Sequence, residues 1–487
     1  RMSVVCHKQI MTFSEEEFAK LRQVYQEAGQ GQVFRFEDQL SKQQKAELFA
    51  NLSAVDPVQV NKNFASIAER EKEQATEVIS VFNGQTKVIY EAPPDEQAKY
   101  RANGLEMIRN GQVGAVLMAG GQGTRLGSDQ PKGMYDLQLP SGKSLFQLQA
   151  EKIQRLKSLA GGSASLPWYI QTSDATHNAT VDFFKQNSYF GLPPKDVFIF
   201  QQGLLPALSL DGKILLSSAT ALAMAPNGNG GLHAAIASSG ALADMCERKL
   251  QYIHVYGVDN VLVKVADPSF MAFCSEAKAD CANKVIVKTD PEERVGVMSL
   301  RSGKPGVVEY SEITKAMSEQ RDPQTGQLLY SGANIAQHAF SVSFMKEVAC
   351  SAFLPFHVAK KAIPVANKEG KTEAPGSING IKMEMFVFDV FAFAKNMVCY
   401  ACKREEEFTA VKNKPIPGQH VKDSPVTARM DYSAYHASLV AKAGGTVLPS
   451  DTPEKDAFEI SPLVSYDGEG LEQLVKGKTF TAPFHLA

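Results

Sequence analysis

Apolar positions along the chain change period near residue 110. Before it, Phe18, Leu21, Val24 and Tyr25 recur at helical spacing. Ser14 with Glu17, and Ser41 with Gln44, stand at capping-box spacing ahead of such runs. The stretch from Ser14 to about Gly104 therefore reads as helical, with breaks at Asp56-Pro57 and Ala92-Pro93-Pro94. Val113 to Ala119 is then a short unbroken apolar run, the pattern of a strand buried on both faces. Strand-like runs recur at Trp168–Ile170, Val197–Phe200 and Tyr252–Tyr256. Between them lie helical patterns: Leu145, Leu148, Ile153, Leu156 and Leu159 behind a Ser144/Gln147 capping box, Val181–Phe184, and a helix from about Leu232 to Lys249. This alternation predicts an α/β fold, a Rossmann-like, mixed and mostly parallel sheet with helices on both faces. Past Cys402 a Pro- and Lys-containing loop, Lys412 to Pro425, precedes short strand-like pieces at Thr446–Leu448 and Glu459-Ile460. The pattern divides the chain into an N-terminal helical domain (1–110), a central catalytic domain (111–402) and a small C-terminal β-rich domain (403–487).

Composition narrows the class. The 487 residues are 44% hydrophobic and 21% charged, with a net charge of −2, as in soluble globular proteins. That balance speaks against nucleic-acid or membrane-surface partners, so an anionic substrate has to be met by local cations. No apolar run approaches the ~18 residues of a membrane span. Arg1-Met2-Ser3-Val4 lacks the apolar core of a secretory leader, and seven scattered cysteines suit a reducing setting, so a cytoplasmic location is expected. Cys399 and Cys402 form a lone C-x-x-C without the further ligands a zinc site needs.

The chemistry concentrates in Val113–Gly133, VGAVLMAGGQGTRLGSDQPKG. After the apolar run come Gly120, Gly121, Gly123 and Gly127, with Arg125 inside the loop and Lys132 behind Pro131. Glycines let backbone N–H groups approach a phosphate, and the two cations neutralise it. A dinucleotide fingerprint is excluded because Leu126 stands where its third glycine belongs, and a Walker loop because position 137 is leucine. The stretch reads as a cradle for a nucleotide triphosphate. Elsewhere the residues leave alternatives open. Asp259, after the Tyr252 run, suits a helix cap or a metal ligand equally. Asn227-Gly-Asn229-Gly-Gly reads as a plain turn or a ligand-facing one.

The run Ala119–Lys132 resembles the signature loop of the nucleotide-sugar pyrophosphorylases, with Met118 at a position usually Leu. Followed by Gly133-Met134-Tyr135-Asp136, it is similar to the eukaryotic UDP-N-acetylglucosamine pyrophosphorylase family in particular. Further stretches resemble that family: Phe200-Gln201-Gln202-Gly203, Ala225–Gly231 with Asn227 replacing Asp, Val258-Asp259-Asn260, Val308–Glu312, Gly332-Ala333-Asn334-Ile335 and Asn379–Asp389. The resemblance implies a nucleotidyltransferase fold and a set of roles. Met118, Ala119, Gly120 and Gly121 would cradle the nucleotide, with Gln202 and Gly228 at the uracil. Asp259 would hold Mg²⁺ against the phosphates. Arg125, Lys132 and Lys382 would be the catalytic cations. Asn229, Glu309, Tyr310 and Asn334 would face the sugar, Phe386 and Phe388 its acetyl group, and Lys412 the sugar phosphate. For the phenylalanines core packing is the alternative, and for Lys412 a solvated loop lysine.

The implied reaction joins UTP and N-acetylglucosamine-1-phosphate, giving UDP-N-acetylglucosamine and pyrophosphate. Its nucleophile is an ionised phosphate oxygen, so no general base is required, and the chain shows no G-x-S-x-G. The sister activity, a UDP-glucose or broad UDP-sugar pyrophosphorylase, shares the same cradle. Monomer and homodimer are left open.

Overall fold

The computed structural model describes residues 13–161, 164–351, 354–452 and 455–487; the opening residues inspected for a leader lie outside it. By contact the chain groups into two compact units. One comprises Arg1–Glu77, Gly203–Gly231 and Phe353–Val387; the other comprises Val78–Gln202, Leu232–Ala352 and Phe388–Ala487. Each is discontinuous in sequence, so their borders differ from the linear boundaries at 110 and 402.

The larger unit is built on an 11-stranded sheet. Its main path runs Thr86–Val88, Met397–Cys402, Cys281–Val287, Gly332–Ser341, Tyr252–Gly257, Val113–Met118, Trp168–Thr172 and Val197–Gln201. All neighbours on this path are parallel except Gly332–Ser341, which is antiparallel to both of its own. The α/β, mostly parallel fold is therefore as the alternation predicts. Val113–Leu117 and the whole of Trp168–Thr172 are buried, as a strand covered on both faces demands. The parallel strands point the same way, so the carboxyl ends at Met118, Thr172, Gln201 and Gly257 share one edge.

Local signals hold in most places. Ser14 and Ser41 form complete capping boxes. Ser144 caps Leu145–Ala160 by accepting from the Gln147 N–H, but the Gln147 side chain turns to Glu151 at 3.0 Å, so the reciprocal half is absent. Asp56-Pro57 falls, as expected, at a break between helices: Lys42–Ser53 ends before it, the Asp56 carboxylate accepts from Val58 and Gln59, and Pro57 begins a 20-residue helix. The helix expected over Leu232–Lys249 is two, Leu232–Ser238 and Ala241–Glu247, divided at Gly240 with φ +86°. Two strands interrupt the helical N-terminal reading, Ile79–Val81 and Thr86–Val88, each only three residues long. The C-terminal region contains the expected short strands, but its longest element is the helix Pro425–Lys442.

The smaller unit packs the helices Glu15–Glu27, Lys42–Ser53 and Pro57–Thr76 around Phe18, Tyr25, Phe34, Leu48, Leu52 and Val60. The same core takes in Leu208, Ile214, Ile381 and Met383. A three-stranded antiparallel sheet, His357–Lys361, Gly380–Glu384 and Leu208–Ser209, supplies the last of these residues.

Within the larger unit the helix Pro94–Arg109 crosses Pro268–Glu276 at Gly104, where an added Cβ would stand 1.9 Å from the Pro268 carbonyl oxygen. Alanine would improve helix propensity there by ~1 kcal/mol. The clash is with backbone, which the Asp267 cap holds in place, and overpacking of that kind costs ~1–3 kcal/mol or more. The clash wins. Gly104→Ala is expected to lower the thermal midpoint, and calorimetry on the variant checks it.

Candidate functional site

The glycine loop leaves the strand Val113–Met118 at the shared edge. It is folded on itself: Gly123 N–H donates to Gln130 O (2.9 Å), Ser128 N–H to Gly123 O (3.1 Å) and Lys132 N–H to Gly121 O (3.1 Å). Gly127 turns the chain with φ +82°. Among the described residues no hydrogen bond within the protein engages the Gly120 or Gly121 N–H, and Gly121 has nothing within 4 Å of an added Cβ. At Gly120 a Cβ would come 3.0 Å from the Gln202 amide oxygen, so the absent side chain is what lets Gln202 approach the loop. Gln202 is itself hung from the next strand by its N–H to Thr172 O. Met118, Ala119, Gly120, Gly121 and Gln202 thus form one group.

A second group gathers charge. The Lys132 side chain is half-buried, and burial pushes its ammonium below the usual lysine value; Asp259 opposes that push, while Lys412 and Arg125 add to it by repulsion. Lys412 Nζ lies 3.8 Å from an Asp259 carboxylate oxygen, and both side chains remain partly exposed. Three cations and one carboxylate therefore share a small volume with the glycine loop. An excess of positive charge partly removed from water is what a polyphosphate needs and what an empty surface would avoid.

Asp259 fits a divalent cation. A Cβ on Gly257 would stand 2.8 Å from Asp259 Oδ1, so the glycine keeps the space into which the carboxylate projects. Mg²⁺ is commonly bound by one or two carboxylates plus substrate phosphates. Among the described residues no group of three or more His, Cys, Asp or Glu forms an all-protein cage. Asp259 does not cap a helix; its backbone carbonyl accepts from Val411 N–H at 2.9 Å.

Glu309 and Asn334 meet at Gly296. Asn334 N–H donates to Gly296 O at 2.8 Å, and a Cβ on Gly296 would lie 2.8 Å from Glu309 Oε1. Glu309 is further set by its N–H, which donates to Glu312 Oε2 at 2.9 Å, and Tyr310 beside it is exposed. Phe388 is buried, 6.5 Å from Phe391 ring to ring.

The smaller unit carries Gly228, Asn229, Lys382 and Phe386. Asn229 Oδ1 accepts from Val387 N–H (3.0 Å), and Gly230 N–H donates to Met385 O (2.8 Å). Gly228 has φ +82°, and a Cβ there would lie 2.4 Å from Met385 O. The Ala225–Gly231 and Asn379–Asp389 stretches are therefore fastened together inside that unit. Lys382 lies on the strand Gly380–Glu384 opposite Ala359, and Phe386 stacks on His357 at 4.1 Å. Asn379–Asp389 spans the strand Gly380–Glu384 and the start of the 3₁₀ helix Val387–Phe393.

Several site-building residues escape a reading of the sequence. Gly257 and Gly296 matter only for the side chains of residues beside them in space. Lys414 reaches Gly127 of the loop, its Cε 3.6 Å from an added Cβ, and its one sequence signal is its position two residues after Lys412. Lys152 is buried and donates to Val261 O and Val263 O, fastening the turn after Asp259; burial lowers its pKa to about 8.

A strand-and-glycine-loop edge with clustered cations defines a nucleotide-phosphate-binding α/β protein, and comparison with known proteins narrows that class. The profile of the family described as UTP–glucose-1-phosphate uridylyltransferase matches residues 61–415. A UDP-N-acetylhexosamine pyrophosphorylase-like protein 1 of Xenopus tropicalis is 42% identical, the match covering 97% of both chains. The UDP-N-acetylglucosamine pyrophosphorylase of Saccharomyces cerevisiae is 38% identical over 94% of this chain and 97% of its own. The crystal structure of the Trypanosoma brucei uridine diphosphate N-acetylglucosamine pyrophosphorylase, solved with an inhibitor, superimposes with a TM-score of 0.78 at 29% identity, covering 95% of this chain and 96% of that one. The chain belongs to the UDP-N-acetylglucosamine pyrophosphorylase family.

Gly257→Ala tests the space around Asp259. The clashing atom is the end of a mobile side chain, so the thermal midpoint is expected to stay near wild type while the carboxylate is displaced. We propose that Asp259 takes a divalent cation, so the cation concentration needed for half-maximal activity should rise about tenfold or more, measured by titration against the wild type.

Proposed function

We propose that the chain catalyses reversible transfer of a uridylyl group from UTP to N-acetylglucosamine-1-phosphate, releasing pyrophosphate. The observation that carries this reading is the gathering of Asp259, Lys412 and Arg125 around Lys132 beside the glycine loop, with Lys412 at 3.8 Å from Asp259. Family membership and the names of the relatives support the amino sugar as acceptor. A sugar-phosphate oxygen attacks the α-phosphorus of UTP, the bond from that phosphorus to the bridging oxygen breaks, and its electron pair leaves with pyrophosphate. The nucleophile needs no proton removed, so the protein's work is alignment and neutralisation of charge.

In this reading the Gly120 and Gly121 N–H groups hold the triphosphate and Arg125 holds the departing pyrophosphate. Lys132 spans the α-phosphate and the sugar phosphate, and Lys412 reaches the latter. Lys382 adds a cation for the phosphates. Gln202 and Gly228 read uracil; Asn229, Glu309, Tyr310 and Asn334 serve the sugar, with Phe386 and Phe388 for its acetyl group. Asp259 would hold Mg²⁺, which supplies charge neutralisation and orientation at the phosphates. No helix among the described residues is long and apolar enough to cross a membrane. The free and buried Cys274, Cys281, Cys399 and Cys402 support a reducing, cytoplasmic setting. The family's description as a UTP–glucose-1-phosphate uridylyltransferase supports UDP-glucose synthesis as the second reading.

Pyrophosphate release from UTP and Mg²⁺ with a panel of sugar-1-phosphates tests the proposal. N-acetylglucosamine-1-phosphate is expected to be the preferred acceptor; preference for glucose-1-phosphate would overturn the amino-sugar assignment. A preorganised cation in such a site contributes ~3–4 kcal/mol, so Lys132→Ala should lose ~10²-fold or more in turnover. A near-normal rate would sink the role given to Lys132.

The pH dependence has a defined sign. The charged form of Lys132 is the working one, and its pKa lies below the ordinary lysine value of 10.5. The free-enzyme kcat/KM should therefore fall on the alkaline side with an apparent pKa below 10.5. Lys132→Arg, charged throughout, should move that limb upward whatever it does to the maximum.

A further inference from the structure

We propose that Asn260 is a positioning residue for Lys412: its side-chain amide clamps the segment Glu407–Val411 onto the turn after Tyr252–Gly257, and so fixes where Lys412 stands beside Asp259. The proposal rests on the reading that Lys412 meets the phosphate of the sugar substrate.

Asn260 is 3% exposed, and both ends of its amide are used. Nδ2 donates to Glu407 O at 2.8 Å; Oδ1 accepts from Thr409 N–H at 3.1 Å and from Leu262 N–H at 3.2 Å. One side chain thus grips two sites on a segment distant in sequence and one on its own turn. The backbone follows the same register: Val261 N–H donates to Thr409 O and Val411 N–H to Asp259 O, both at 2.9 Å, with Asn260 opposite Ala410. Glu407 is anchored independently. Its carbonyl accepts from Gln337 Nε2 at 3.2 Å, and its carboxylate takes the buried Lys284 ammonium at 2.9 Å. On the far side the Lys412 and Asn413 N–H groups both donate to Asp423 O, at 2.7 and 2.9 Å. Lys412 therefore sits between a pinned segment and the neck of a closed loop.

The chemistry selects asparagine. Glu407 O requires a donor, while Thr409 and Leu262 N–H require an acceptor, and the amide supplies the two on separate atoms, Nδ2 for the carbonyl and Oδ1 for both N–H groups. Aspartate would set an acceptor against the Glu407 carbonyl, and an apolar residue would leave all three backbone groups unpaired in a dry site. Without the clamp, the long Lys412 side chain would start from a segment held by its backbone bonds and the Glu407 anchor alone, and small misplacements at such a site are costly.

The test is a double-mutant cycle of Asn260→Ala and Lys412→Ala, with KM measured separately for UTP and for N-acetylglucosamine-1-phosphate. Each single variant is expected to raise KM for the sugar phosphate by about tenfold, with the UTP value held within about twofold. If Asn260 acts through Lys412, the double variant stays within about twofold of Lys412→Ala. Independent, additive losses of about a hundredfold would overturn the proposal, as would equal weakening of UTP and sugar phosphate. Wild-type kinetics in Lys412→Ala would overturn the role of Lys412 itself, a failure distinct from additivity on an impaired Lys412→Ala background. If the alanine variant at Asn260 does not fold, Asn260→Ser, which keeps a polar group in the site, enters the same cycle and is judged by the same outcomes.

Discussion

A single buried charge holds the architecture of the larger unit in register. Lys284 is wholly buried on the strand Cys281–Val287, with Asp267 at 2.6 Å and Glu407 at 2.9 Å. Burial alone would discharge it, but the two carboxylates outweigh that cost and hold the ammonium above the ordinary lysine range. A charge so placed must keep its partners, because loss of one leaves the others uncompensated at ~3–5 kcal/mol. Asp267 is also the cap of Pro268–Glu276, and Glu407 ends the helical turn before the segment that carries Lys412. Strand, helix start and the segment that carries Lys412 are thereby indexed to the same ammonium.

Beside this framework the site is made largely from missing side chains. Gly120 admits the Gln202 amide, Gly257 leaves room for the Asp259 carboxylate, and Gly296 lets Glu309 come close. Gly133, just after Lys132, lies against the ring of Phe146, where a Cβ would stand 2.2 Å from the ring atom Cζ. Each omission costs backbone entropy when the chain folds. At Gly120, Gly257 and Gly296 the omission lets a polar group, and at Gly133 an aromatic ring, reach a place it could not otherwise occupy.

This explains what could be read from the residues and what could not. Local rules were legible: the Ser14 and Ser41 capping boxes and the buried run Val113–Leu117 depend on neighbours a few positions away. The loop cations were legible too, because Arg125 and Lys132 share one short stretch with the glycines. The strands Ile79–Val81 and Thr86–Val88 were not, since three residues cannot display a period and their partners lie at Val297–Arg301 and Met397–Cys402. Asn260 reads as an ordinary residue after Asp259 until its partners at Glu407 and Thr409 are known. The split of Leu232–Lys249 turned on one positive φ at Gly240, which a continuous helical pattern conceals.

The division of the chain into interleaved units also has a meaning for synthesis. The amino-terminal helices emerge first, yet Phe18, Tyr25 and Leu48 share their core with Ile381 and Met383, which emerge only after most of the chain has been made. Their apolar faces must wait until the segment that carries Ile381 and Met383 has been made. Such a chain cannot fold as a simple succession of completed domains.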